Sequence, residues 1–334
     1  CIRDRDTMSK EKSLCSKRVE WIDVAKAIGV FCVVAGHTGL PILLRCWIYV
    51  FHMPMFFFIS GMWFRDRKPR EYVIRKAKSY LIPFYGYSLL ILTIDFILFR
   101  DKDFFVASII DVLRGEGSFS LLWFLFSLFF VEIIYYVIYR LIKNKRSICI
   151  IAFILALIAH SSRTEGVPNY FFWSSTIEAM LFFSLGTLFN DPIKIEKHLS
   201  KLGGAVSCVI CIIIATFEFK QTGRYLDLSD GYLCMPGLAI LGACFGIYFM
   251  FCLAKCVSTW KMAKALNSIG RNTIIYYPLT GYIPTTIDRF LTALGYDVSS
   301  QIYSVLFKLV GFIIAWGVTA VIKLKKKRVA DNYE

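Results

Sequence analysis

The sequence predicts an all-α protein: a polytopic membrane bundle of about ten transmembrane helices with both termini in the cytoplasm. Three observations indicate this fold class: the apolar composition, repeated long apolar runs, and an uneven distribution of basic residues between those runs. Of 334 residues, 57% are of the types AVILMFWYC and 19% are charged, whereas soluble proteins average about 45–50% apolar and about 25% charged residues. The composition excludes a soluble cytosolic enzyme, a disordered chain and a secreted disulfide-bonded domain.

The apolar runs predict the membrane spans. A hydrocarbon core about 30 Å thick is crossed by about 20 residues of helix, and a helix satisfies its own backbone hydrogen bonds there. The predicted spans are 20–38, 46–64, 80–99, 121–142, 148–160, 171–189, 202–219, 233–254, 272–287 and 303–322. We expect residues 20–322 to form one integral-membrane domain, between a cytoplasmic N-terminal tail, 1–19, and a basic cytoplasmic C-terminal tail, 323–334. In residues 104–114, apolar residues alternate with polar residues at near-helical spacing, which predicts a short helix in the membrane interface.

The basic residues predict the orientation of the bundle. With these spans, 29 Lys and Arg residues fall on the side of both termini and 8 on the opposite side. Because cytoplasmic loops are enriched in Lys and Arg, both termini are expected in the cytoplasm. Topology therefore explains most of the positive charge, and no basic groove interleaved with aromatic residues indicates nucleic acid. We expect a multi-pass protein of the cell membrane, surrounded by lipid and without a nucleic-acid partner.

The eleven cysteines lie mostly in or beside the predicted spans, where they are interpreted as small apolar residues. Cys208 and Cys211 have C-x-x-C spacing. However, they lie in a continuous apolar run without a nearby histidine or second cysteine pair, which favours packing over a zinc or redox role. No metal site is predicted.

Ionisable residues inside the spans are the first candidates for a functional site, because a charge at mid-bilayer costs at least about 2.5–3.5 kcal/mol. In the first span, Lys26 and His37 are eleven residues apart, which places them on nearly the same helix face about 16 Å apart along the axis. Asp23 lies on that face three residues before Lys26. The pattern predicts an active-site stripe from a cytoplasmic ion pair to an outer histidine. The alternative is an Asp23–Lys26 pair among the lipid headgroups and an interfacial His37 without a catalytic role.

The second span contains another histidine, in Phe51-His52-Met53-Pro54. In the predicted topology, His52 lies towards the same outer side as His37, so that two imidazoles meet at one end of a helical hairpin. An interfacial histidine without chemistry explains His52 equally well. The other intramembrane ionisable residues are Asp95, Glu132, Glu178 and Lys308, whose partners are not evident from sequence.

These residues form part of a longer set of motifs. The set is Arg18-Val19-Glu20-Trp21-Ile22-Asp23-Val24-Ala25-Lys26; Gly36-His37; Phe51-His52-Met53-Pro54 with Phe57, Ser60 and Gly61; Arg75-Lys76-Ala77-Lys78 before Ile82-Pro83; Leu122-Trp123-Phe124-Leu125 with Glu132; Phe183 with Gly186; and Ile269-Gly270-Arg271-Asn272-Thr273. In this order the motifs resemble the membrane acyltransferase-three family, close to its fucose 4-O-acetylase-like members, over roughly residues 18–280. The chain departs from that family at Thr280, where many members carry a histidine.

The resemblance implies an O-acyltransferase that moves an acetyl or other short acyl group from cytoplasmic acyl-CoA to a hydroxyl of an extracytoplasmic sugar or cell-envelope polysaccharide. The family's basic residue, ten-residue spacer and histidine fall on Lys26 and His37. Histidine suits a base that takes the hydroxyl proton, or a nucleophile that forms a transient acyl-histidine; both routes remain open, as do acetyl and succinyl donors. The candidate catalytic residues are Asp23, Lys26, His37 and His52.

Substrate contacts follow from the same interpretation. The phosphates of acetyl-CoA need cations at the cytoplasmic mouth, and Arg75, Lys76 and Lys78 are predicted to bind them. Trp123 and Glu132 are predicted to contact the glycan acceptor. A transporter or flippase for a sugar-linked substrate would also use intramembrane charges, although the sequence shows no repeated halves. A sensor or scaffold protein is a third class, and it requires no histidine.

Overall fold

A computed structural model describes residues 19–115, 122–162, 172–298 and 300–331. The predicted tail 1–19 therefore lies outside the described residues except for Val19. The regular secondary structure of the described residues is helical. One isolated antiparallel bridge joins Asp227 and Tyr232.

The described residues form fourteen α-helices and one π-helical turn. The helices are α1 (Glu20–Gly36), α2 (Ile42–Met62), α3 (Pro69–Lys76), α4 (Ile82–Phe99), α5 (Lys102–Leu113), α6 (Trp123–Ile142), α7 (Lys145–Ser162), α8 (Trp173–Leu188), α9 (Pro192–His198), α10 (Lys201–Thr222), α11 (Pro236–Ser258), α12 (Ala263–Arg271), α13 (Thr273–Ala293) and α14 (Gln301–Asp331). The π-helical turn, Ala77–Leu81, joins α3 and α4 into one continuous rod.

Each of the ten predicted spans coincides with one of these helices. Within the described residues, seven are long and apolar enough to cross a membrane by themselves: α2, the α3–α4 rod, α6, α7, α10, α11 and α14. The first and sixth predicted spans correspond to α1 and α8, which have only 17 and 16 residues. The ninth corresponds to α13, which is rich in Thr, Tyr and Pro. The protein is thus an all-helical, multi-pass membrane protein, and ten crossings with cytoplasmic termini remain a prediction.

The centre of the bundle is α2, which packs against α1, α8, α10 and α11. Less than a third of the residues in the apolar parts of the α3–α4 rod, α7, α10 and α14 are buried. These helices expose large apolar side chains, among them Ile82, Ile150, Leu202 and Ile302. Such a surface is stable in lipid but would aggregate in water. The peripheral helices therefore present the lipid-facing surface.

Two glycines allow backbone contact at the crossing of α2 with α8. A Cβ added to Gly61 would overlap the carbonyl oxygen of Phe183, and one added to Gly186 would overlap that of Phe58. Small residues are the usual means by which membrane helices come into backbone contact. The crossing explains why both positions carry glycine.

The predicted short helix at 104–114 is confirmed as α5. Its N-terminus is capped by Asp101, whose carboxylate accepts a hydrogen bond of 2.9 Å from the backbone N–H of Phe104. Val106, Ile110 and Leu113 are exposed. The exposed apolar side chains fit a helix that rests on lipid.

The orientation of the bundle leads to a first testable expectation. A reporter fused after Arg328 is expected to be cytoplasmic and one inserted after Gly223 extracytoplasmic, because of the 29-to-8 distribution of basic residues. Alkaline phosphatase and green fluorescent protein fusions measure this, since each is active on only one side. The opposite labelling would invert the sides of the site described next.

Candidate active site

The first two turns of α1 carry a cluster of charges. Lys26 Nζ lies 2.7 Å from one carboxylate oxygen of Asp23, and Arg271 Nε lies 3.4 Å from the other. The Asp23 side chain is buried, whereas Lys26 and Arg271 are partly exposed. The predicted Asp23–Lys26 pair is therefore present, and a second cation from α12 completes it.

The close approach of α12 to α1 depends on Gly270. A Cβ at this position would overlap the backbone carbonyl oxygen of Asp23, so only glycine lets the two helices touch here. The contact places the next residue, Arg271, beside the Asp23 carboxylate. Sequence reasoning placed Arg271 in a motif but did not assign it to the site.

A pocket of about 500 Å³, with both polar and apolar residues in its wall, lies at the other end of α1. Its wall is formed where α1 ends and by α13, α14 and the segment before α14. The polar residues that line it are His37, Thr280, Thr285, Asp288, Ser300, Ser304 and Lys308. This volume is within the range of about 300–1,000 Å³ typical of small-molecule sites. Thr280, the position at which the sequence departs from the resembled family, thus lies in the same pocket as His37.

Tyr49 connects the two candidate histidines. Its ring centroid lies 6.2 Å from that of His37 and 4.8 Å from that of His52. A Cβ at Gly36 would lie 2.9 Å from the Tyr49 ring, so glycine at this position lets the ring rest against α1. His37 and His52 therefore both lie beside Tyr49, and His52 lies midway along α2 rather than at its end.

The two histidines have different surroundings. His37 is exposed and lines the pocket. His52 is buried, and it is not among the described residues that line the pocket. His52 Nδ1 lies 2.9 Å from the carbonyl oxygen of Ile48. A carbonyl oxygen only accepts, so Nδ1 carries the hydrogen and donates this hydrogen bond. In the neutral imidazole, Nε2 is then the nitrogen that can accept a hydrogen bond.

The segment between α10 and α11 reaches the same aromatic group. Tyr225 packs edge-on against Tyr49, with 4.8 Å between ring centroids. Asp227 accepts a hydrogen bond of 2.6 Å from the Ser229 hydroxyl, and burial raises the pKa of Asp227 above its ordinary value. The loop therefore packs against Tyr49 through Tyr225 and carries, two residues further on, a carboxyl group whose pKa is raised.

The structure pairs Lys76 with Glu132, two residues for which the sequence predicted separate substrates. Lys76 Nζ lies 2.6 Å from Glu132 Oε1, and the hydroxyls of Tyr72 and Tyr80 donate to the carboxylate at 2.6 Å and 3.0 Å. Glu132 is 1% exposed. Both carboxylate oxygens therefore already have donors from the α3–α4 rod.

Arg75 and Lys78 lie apart from this buried pair. They line an open groove with Lys68, Arg70, Glu71, Ile74 and Ser79. The groove is formed by α3 and the π-helical turn, which follow the end of α2 and hence lie at the end of the bundle where α1 begins. Of the three predicted donor-binding residues, these two are available to a ligand.

Trp123 lies at the start of α6 and is buried among aromatic rings. Its centroid is 6.2 Å from that of Phe57 and 6.0 Å from that of Phe172. Next to this aromatic cluster, a small apolar cavity is lined by Val30, Phe56, Phe124, Leu125, Thr273, Ile274 and Tyr277. Val30 lies between Lys26 and His37 on α1, so the cavity lies between the two ends of the candidate site.

The class of protein now follows from the fold and from one comparison. The chain matches the acyltransferase domain family, acyltransferase 3, over residues 19–321. No curated protein and no solved structure matches it. The chain belongs to the acyltransferase-three family, and it is a multi-pass membrane acyltransferase.

Proposed function

We propose that this protein transfers an acetyl or other short acyl group from cytoplasmic acyl-CoA to a hydroxyl of an extracytoplasmic sugar or polysaccharide, in the cell membrane. The observation that carries the proposal is the arrangement along α1. His37 lines the pocket at one end, and the Asp23–Lys26–Arg271 cluster lies at the other. Two substrates that approach from opposite sides can therefore meet along one helix.

The pocket suits a polyhydroxylated acceptor. Hydroxyls of Thr285 and Ser304, the Asp288 carboxylate and the Lys308 ammonium supply both donors and acceptors in its wall, and a sugar needs both. A hydroxyl of the acceptor attacks the thioester carbonyl carbon, the new C–O bond forms, and the C–S bond breaks. In the direct route, His37 takes the hydroxyl proton and delivers it to the departing thiolate, which leaves as the thiol of CoA.

Donor binding is placed at the opposite end. Arg75 and Lys78 in the open groove, together with Lys26 and Arg271, supply cations for the phosphates of acyl-CoA. The apolar cavity beside Val30, about 30 Å³ in volume, lies between the two ends, and in this proposal it widens when the uncharged arm of the donor passes towards His37. In this proposal Glu132 and Lys76 support the α3–α4 rod through their ion pair.

The proposal is tested by incubating the purified protein in lipid nanodiscs with radiolabelled acetyl-CoA and a panel of glycans. We expect label in the glycan and release of free CoA in equal amounts. A transporter would move the glycan or its lipid carrier without a covalent change. The absence of both acetyl transfer and acetyl-CoA hydrolysis across the panel would contradict the enzymatic proposal.

Replacing Arg75 and Lys78 together by Gln is expected to raise the KM for acetyl-CoA by about tenfold, since each charge-assisted hydrogen bond contributes roughly 1.5–3 kcal/mol before exposure weakens it. Lys76 is left unchanged, because removing one partner of a buried ion pair costs about 3–5 kcal/mol and would confuse binding with folding. Initial rates at varied acetyl-CoA concentrations measure the effect.

The control for this double variant is Lys194→Gln with Lys197→Gln. Both lysines are exposed on α9, so the control removes the same charge at the same predicted membrane side. If the two double variants have the same KM for acetyl-CoA, Arg75 and Lys78 do not bind the donor, and their charges serve only the membrane topology.

A further inference from the structure

Lys308 is unusual in its setting. Among the described residues it is the only buried lysine, with 8% of its surface exposed, and it lies within the apolar helix α14. The neighbouring residues Ile302, Leu306 and Leu309 are exposed to the lipid side. A buried ammonium in a membrane helix is costly unless it is paired, so its partners show what holds it there.

The partners are the carbonyl oxygens at the end of α1. Lys308 Nζ donates to the carbonyl oxygen of Val34 at 3.3 Å and also to the carbonyl oxygen of His37. The Val34 carbonyl also accepts the backbone N–H of His37 at 3.2 Å, and the last carbonyls of a helix carry the negative end of the helix dipole. The last turn of α1, residues 33–36, contains no basic residue. Lys308 thus supplies from α14 the cation that α1 lacks.

Lys308 also lines the pocket that contains His37. An ammonium group has three N–H donors, and two of them bond the carbonyls of α1. Within the described part of the chain, the third has no hydrogen-bond partner and is free to bond an oxygen atom in the pocket. One side chain therefore holds the backbone at His37 and offers a hydrogen bond to the group that His37 would act on.

We propose that Lys308 is a positioning residue of the acyltransferase site. Its ammonium group fixes the end of α1 by hydrogen bonds and orients an oxygen of the sugar acceptor beside His37. The inference rests on the proposed function and extends it to the last membrane helix. It makes α14 part of the active site and gives a physical reason for a lysine in an otherwise apolar span.

The experiment compares Lys308→Met with Lys255→Met in the full-length protein. Lys255 makes an equivalent contact far from the pocket, since its ammonium donates to the carbonyl oxygens of Glu196 at 2.6 Å and Leu199 at 3.1 Å, where α9 ends. Acetyl transfer per folded molecule, and the KM for glycan and for acetyl-CoA, are measured for both variants. A second readout uses no substrate: the rate at which diethyl pyrocarbonate modifies His37, located by mass spectrometry.

In Lys308→Met we expect transfer to fall by about tenfold to a hundredfold, as for a small misplacement of a reacting group. The KM for the glycan should rise and that for acetyl-CoA should stay unchanged. The His37 modification rate should differ from that of Lys255→Met, which should match the wild type. Lys308→Arg should recover part of the transfer, because guanidinium also donates to carbonyls.

Equal transfer or equal His37 modification in Lys308→Met and Lys255→Met would overturn the inference. If Lys308→Met does not fold, Lys308→Gln gives the same comparison. A wild type without any acetyl transfer would instead refute the proposed function. The modification rates would then still show whether Lys308 holds the end of α1.

Discussion

Replacing His37 by alanine is expected to lower acyl transfer per folded molecule by about 10²–10⁴-fold, the usual contribution of a general acid–base group. The side chain is exposed to the pocket at the end of α1, so its loss removes the base without removing a buried contact. Folded yield should therefore be retained. Transfer of radiolabel from acetyl-CoA to glycan, divided by the amount of monodisperse protein, measures the effect.

The matched control is His198→Ala. His198 is an exposed histidine at the end of α9, remote in sequence from the pocket residues, and its replacement should leave transfer unchanged. If His37 is merely an interfacial residue, His37→Ala and His198→Ala should behave alike. Turnover near the wild-type value in His37→Ala would rule out His37 as base and as acyl-accepting nucleophile.

The second large effect is expected at the crossing of α2 with α8. Gly61→Ala places a methyl group on the backbone carbonyl of Phe183, and a backbone atom cannot move aside as a side-chain end can. Overpacking of this kind costs about 1–3 kcal/mol. We expect a lower yield of monodisperse protein and a lower midpoint of thermal unfolding, measured by fluorescence-detected size-exclusion chromatography after heating.

Gly86→Ala is the control, since Gly86 is also within a helix, α4, and has open space where its Cβ would lie. Its replacement should leave the midpoint unchanged or raise it slightly through better helix propensity. The double variant of Gly61 and Gly186 sharpens the test. If α2 and α8 move apart once, both clashes are relieved. The loss of stability in the double variant should therefore be smaller than the sum of the losses in the two single variants. Unchanged stability in Gly61→Ala would contradict the close crossing.

The local parts of the fold could be predicted because hydropathy and periodicity depend on neighbouring residues. Each of the ten apolar runs corresponds to a helix, and the short helix α5 was also predicted. Helix geometry likewise predicted the Asp23–Lys26 ion pair, since residues three apart share a face. The short connection between α1 and α2 predicted that His37 and His52 would lie near each other, and both lie beside Tyr49.

Contacts between distant segments could not be predicted from these patterns. Lys76 and Glu132 are individually evident as charges in or near the membrane, yet the sequence assigned them to different substrates. The structure pairs them because α3 packs against α6, which places the Lys76 ammonium 2.6 Å from the carboxylate. In the same way, Arg271 reaches Asp23 across 248 positions of the chain.

By itself, the sequence determined a membrane-spanning helical protein and its candidate polar residues, the stripe of α1 that ends at His37 and the histidine His52 of α2, because burial of charge in an apolar run is costly wherever it occurs. Only the tertiary structure decided what surrounds His37. The pocket joins the end of α1 to residues of α13 and α14 that are more than 240 positions away, among them Thr280, Asp288 and Lys308. The identity of these neighbours depends on how the helices pack, and packing is set by side-chain shape and close backbone approach over the whole bundle rather than by any local pattern.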